Sequence, residues 1–136
     1  MTRRRFSLIV SALLLVTVSA LGCGENHVPP ATIDANVARQ SLERALAAWK
    51  EKAKPDSLMQ DAKAPIHMAD EDWLMGFQLQ NFELAQGEPK AMTSACVRFE
   101  VKLDLTSPQG QRVQRKVQYS VTTSPSISVV REETNV

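Results

Sequence analysis

Apolar spacing in this chain predicts an α+β fold, with one long N-terminal helix packed on a curved antiparallel β-meander of about four strands. Two observations carry the expectation. Between Asp34 and Lys54 apolar residues recur every three or four positions, and beyond Pro65 the period drops to two. A helix with one dry stripe and a sheet with one dry face both need covering, and each covers the other.

In the helical stretch Ala38, Leu42, Ala45, Leu46, Trp49 and Ala53 share one face, while Arg39, Gln40, Glu43, Arg44, Lys50, Glu51 and Lys54 occupy the remainder. Thr32 or Asp34 supplies a capping oxygen, and Lys54 before Pro55 marks the stop. Alanines at 38, 45 and 53 let this helix approach a sheet closely. Pro55 to Gln60 suits one further helical turn, with proline in its first position.

Ile66 to Met68 reads as a short strand. Phe77 to Glu88 reads as a longer one whose apolar parity slips between Leu79 and Phe82, as a bulge produces. Ala95, Val97, Phe99, Val101, Leu103 and Leu105 alternate with Cys96, Arg98, Glu100, Lys102 and Asp104, the clearest strand in the chain. Ser107-Pro108-Gln109-Gly110 has the residues of a type I turn. Beyond it Val113, Val117, Tyr119 and Val121 continue the dry face. A Ser124-Pro125 turn leads to a last strand, Ile127 to Val130, and a charged tail.

At 136 residues there is room for one domain, expected over residues 32–131 with a tail at 132–136. The opening residues are set apart as a targeting segment. Arg3, Arg4 and Arg5 precede a charge-free run from Phe6 to Gly22, 17 residues long and at the lower edge for spanning a bilayer. Small residues close the run and no basic cluster follows it, so a cleaved signal over residues 1–22 is expected rather than a retained anchor.

The tetrapeptide Ala20-Leu21-Gly22-Cys23 resembles the lipobox of bacterial lipoproteins, with Ala20 where that family more often has leucine. The resemblance implies a diacylglycerol thioether on Cys23, cleavage after Gly22 and acylation of the new amino terminus. It also implies outer-membrane sorting, because Gly24 rather than Asp follows the cysteine. Each buried acyl CH₂ contributes about 0.8 kcal/mol, so several chains anchor durably where one is marginal. Residues 23–31 then form the lipidated cysteine and a short proline-bearing tether.

Without Arg3, Arg4 and Arg5 the chain carries 13 basic and 15 acidic residues. No basic stripe remains, which argues against a nucleic-acid partner. With Cys23 spent on lipid, Cys96 stands alone and no intrachain disulfide is expected.

The helix-then-meander order over residues 32–130 resembles the cystatin-like superfold, which includes nuclear-transport-factor-like proteins. The stretch from Pro65 through Asp72, Trp73, Gly76 and Leu79 to Phe82 is similar to small bacterial lipoproteins and implies no activity. Gln111-Arg112-Val113-Gln114-Arg115 is similar to the inhibitory loop of cystatins. Arg115 replaces its final glycine and the segment lies inside a strand, so inhibition is not expected.

His67 with Asp70, Glu71 and Asp72 is the densest group of potential ligands or acid–base residues. One histidine before three consecutive carboxylates splays them apart; His27 sits in the tether, so no metal is expected. A solvated acidic loop is expected instead, with one carboxylate capping a turn before Trp73. Arg115 falls at dry-face parity, where it either snorkels to water or reaches an anionic ligand. Trp49 belongs to the helix's dry stripe, and Trp73 is either core or part of a ligand platform. Cys96 lies on the wet face near Arg98 with no histidine to activate it.

No catalytic set and no cofactor are expected. The leading expectation is a non-catalytic, lipid-tethered envelope module that binds another envelope protein. One alternative is a small-ligand or enzymatic domain with a pocket between helix and sheet, built from Arg115, His67, Asp72 and Trp73. Another is a self-associating structural protein, a homodimer through the wet face.

Overall fold

The computed structural model describes residues 33–93 and 95–133. The expected signal segment, Cys23, His27 and the tether to residue 31 lie outside the described residues. Among the described residues the architecture is α+β, with one long helix and one mixed sheet.

Helix α1 (Ala35–Lys50) starts where Asp34 Oδ1 accepts the N–H groups of Asn36 at 2.8 Å and Val37 at 3.3 Å. Its dry stripe buries Ala38, Ser41, Leu42, Ala45, Leu46 and Trp49. It stops short of the expected Lys54 because Lys52 turns left-handed, at φ 64°, and hands its N–H to the Trp49 carbonyl. The 3-10 turn Pro55–Leu58 follows, with Pro55 at its first position. After β1 (Ile66–Ala69) comes α2 (Glu71–Leu74), a single turn capped by Asp70. The remaining strands are β2 (Gln78–Leu84), β3 (Lys90–Thr93), β4 (Cys96–Thr106), β5 (Arg112–Thr122) and β6 (Ile127–Glu132).

The expectation of about four strands in an antiparallel meander is corrected to six strands in a mixed sheet. Their order is β1-β6-β5-β4-β2, with β3 also on β4. The strand expected at Ile66 to Met68 is present as β1, but its parallel pairing takes it out of any meander, and β3 is the strand that was not expected. β1 buries Ile66 and Met68 by pairing parallel with the last strand, Ile66 opposite Ile127, a long-range partnership that local alternation does not encode. β3 takes over the β4 edge where β2 leaves it, after Leu84 opposite Val101, so that Lys90 faces Arg98. The parity slip in β2 is a register shift between Leu79 and Asn81. The β4–β5 hairpin closes at Ser107, whose carbonyl accepts the Gly110 N–H at 2.9 Å.

Helix α1 and the dry face of the sheet enclose one core containing Leu42, Leu46, Trp49, Ile66, Leu79, Phe99, Leu103, Tyr119 and Val129. Each large apolar side chain buried there stabilises by about 1.5–3 kcal/mol. Trp49 and Trp73 stack with ring centroids 5.3 Å apart and planes within 6°. Their indole N–H groups donate to the Phe77 and Ala53 carbonyls at 2.8 and 3.1 Å, so neither leaves a buried polar atom unmet. The pair fastens the end of α1 to α2 and the start of β2. Among the described residues no helix is long and apolar enough to cross a membrane.

Candidate functional site

The acidic run that follows β1 does not form a solvated loop. Glu71 is exposed, but Asp70 and Asp72 are almost wholly buried, at 3% and 2% relative exposure. Asp70 Oδ1 caps α2 by accepting the Trp73 N–H at 3.0 Å, and its Oδ2 accepts the Tyr119 hydroxyl at 2.6 Å. Asp72 Oδ2 receives Arg131 Nη1 at 2.5 Å and lies 3.2 Å from Arg115 Nε. Arg131 Nη1 is also 3.5 Å from Asp70 Oδ1. Two carboxylates, two guanidiniums and a phenol thus form one network joining α2 to β5 and β6.

Its electrostatics follow from burial and opposite charge. Burial pushes the Tyr119 phenol well above its ordinary range, and the neighbouring Asp70 carboxylate pushes it further. Burial alone would pull the Arg131 guanidinium down, but the bond to Asp72 and the charges of Asp70 and Asp72 outweigh it and raise it. Arg115 has a divided role. Its Nε is buried and within ion-pairing distance of Asp72, yet no hydrogen bond forms there. The end of the side chain, 40% exposed, lies 5.6 Å from the centroid of Phe77 in a cation–π contact.

Beside the network is a cleft of about 680 Å³, lined by Ala69, Asp70, Glu71, Leu74, Arg115, Lys116, Val117, Val130, Arg131, Glu132 and Glu133. It lies where the sheet steps down: β6 ends with Glu132 opposite Gln118, while β5 extends back to Arg112. The lining mixes guanidinium, ammonium and carboxylate groups with the exposed side chains of Leu74 and Val130.

Of the residues singled out in the sequence, Arg115 lines the cleft, whereas Asp72 is not in its lining and meets Arg115 at 3.2 Å. Trp73 is core, stacked on Trp49. His67 projects from the exposed face of β1 and is not part of the lining. Cys96 is a free, half-buried thiol on the outer face, opposite Thr122. Among the described residues no group of three or more His, Cys, Asp or Glu side chains is placed to hold a metal ion. Tyr119 and Arg131 were missed, although both carry a signal. They occupy the dry parity of their strands, where a hydroxyl or a guanidinium needs a buried partner.

A second polar cluster lies on the outer sheet face. Arg98 Nη2 meets Glu132 Oε2 at 2.7 Å and the Ser120 hydroxyl donates to Glu132 Oε1. Burial opposes ionisation of Glu132, but these two bonds and the Arg98 charge prevail and hold its carboxyl below the usual range. No known protein family, curated protein or solved structure matches this chain.

Proposed function

We infer that this chain is a lipid-anchored protein of the cell envelope whose α+β domain works by binding rather than by catalysis. The anchor is supported by Arg3 to Arg5, the apolar run to Gly22, and Cys23 in its lipobox-like setting. Gly24 favours the outer membrane, and the helix-first order favours a cystatin-like fold. The observation that carries the binding reading is the closure of the Asp70–Asp72–Tyr119–Arg131 network. Its buried polar groups are engaged with one another, so they join elements together instead of presenting a base or nucleophile to a substrate. The neighbouring cleft is open and chemically mixed, a shape suited to a partner surface.

A small-ligand pocket is the second reading, and one observation favours it: Arg115 reaches the cleft with a guanidinium only partly occupied by Asp72. The test of the main reading starts from the native product. Mass spectrometry is expected to find residue 23 as the amino terminus, carrying acyl chains, and Cys23→Ser is expected to abolish detergent-phase partitioning. A bare thiol at residue 23 overturns the anchor. Turnover of any small molecule that disappears in Arg115→Ala overturns binding without catalysis.

A further inference from the structure

We propose that the free edge of β5, from Arg112 to Lys116, is a docking edge for an extended acidic peptide segment of another protein, added to the sheet as a strand. The inference rests on the binding reading above and names its partner's chemistry. The β4–β5 ladder fixes which main-chain groups are available. Ser107 and Gln111 bond at the hairpin end, so the antiparallel alternation turns Val113, Arg115 and Val117 toward β4. The N–H and C=O groups of Arg112, Gln114 and Lys116 therefore point the other way. β6 would meet them there, but its pairing with β5 stops at Gln118. All three residues are exposed, and among the described residues no strand pairs with this edge.

Unmet main-chain donors and acceptors in a row are a template for another strand. Five residues, Arg112 to Lys116, give an edge about 17 Å long. The strand's own side chains favour an acidic guest, set against Glu71, Glu132 and Glu133 in the adjoining cleft. The segment holds Arg112, Arg115 and Lys116 and no acidic residue. Asp72 engages Arg115 and Glu100 engages Lys116, at 2.8 Å, but both cations remain substantially exposed. Leu74, 71% exposed, stands at the cleft beside this edge and offers an apolar contact to alternate guest side chains. The edge also lies far from Ile33, where the described residues begin. Ile33 precedes α1, whereas Phe77, under Arg115, accepts a bond from Trp49 on the last turn of α1, about 24 Å further along the helix.

The test uses the full-length chain in detergent and two capped octapeptides, one alternating glutamate with valine and one alternating lysine with valine. The acidic peptide is expected to slow amide exchange at Gln114 and Lys116 at least tenfold. Gln114→Pro, which removes a donor pointing away from β4, is expected to lose that protection with an unchanged thermal midpoint. Arg112→Glu with Lys116→Glu is expected to weaken acidic-peptide binding at least tenfold. Equal protection by the lysine peptide, or no protection by either, overturns the proposal. So does protection that is present without peptide and vanishes when residues 134–136 are removed, since the edge then belongs to the chain's own tail. Protection on another face removes the β5 edge but leaves the binding reading standing, and residue 23 is read separately by mass.

Discussion

The Tyr119 hydroxyl donates to Asp70 Oδ2 at 2.6 Å, joining residues 49 positions apart inside the core. Asp70 already caps α2 through its other oxygen, so one carboxylate holds both a helical turn and the centre of the sheet. This is the point at which the acidic segment becomes part of the interior.

Tyr119 is the only tyrosine, so tyrosinate absorbance reports on it alone. Its folded-state value lies above the ordinary 10.0. The contribution of the neutral phenol is therefore complete below pH 10.0 and is lost as pH rises toward the folded value. Alkaline titration is expected to show no tyrosinate until the fold melts, and then a single step. A smooth rise centred on the ordinary value in folded protein counts against the buried bond. Tyr119→Phe should cost about 1–3 kcal/mol in urea unfolding, since it leaves a buried acceptor short of a donor.

Asp72→Ala removes the nearer of the two carboxylates that face Arg131, leaving Asp70 at 3.5 Å and a guanidinium that is mostly buried, at 18% side-chain exposure. Removing one member of a buried pair costs about 3–5 kcal/mol. Equilibrium urea melts provide the measurement. A loss below about 1 kcal/mol, the range of exposed pairs, shows that the pair is not desolvated.

Glu132→Gln tests the outer cluster. The folded-state carboxyl of Glu132 is depressed below its ordinary value of 4.5, so its stabilisation is present above pH 4.5 and fades as pH falls through the folded value. The variant should be less stable by about 1 kcal/mol at neutral pH and converge with the parent in acid. A gap that persists unchanged in acid places the effect elsewhere.

Leu46→Asp puts a carboxylate into the helix–sheet interface at a position with no solvent exposure. Loss of the cooperative thermal transition is expected. A parent-like melt contradicts the packing of α1 on the sheet.

The dry stripe of α1, the alternation of β4 and β5, the bulge in β2 and the Ser107 turn were all readable, because each is a local pattern. Even the dry parity of Arg115 was visible. What stayed hidden depends on partners far away in the chain. Asp70 and Asp72 look solvated until Tyr119 and Arg131 arrive from β5 and β6 to meet them. β1 was legible as a short strand, but its parallel pairing with β6 was not. The docking edge is likewise set by where β6 ends, a length that alternation in the last strand left two residues short, at Val130 instead of Glu132.

The parallel seam between β1 and β6 has a consequence for biogenesis. β6 supplies the neighbour of β1, the inner wall residue Val129 and the guanidinium that neutralises Asp72. A nascent chain interrupted before Ile127 therefore holds a finished helix and hairpin but exposes the dry side of β1 and leaves Asp72 with Arg115 as its remaining cation. Such long-range closure slows folding. Truncated products should be sticky and quickly degraded rather than partly functional, so β6 acts as a checkpoint on completion of the sheet.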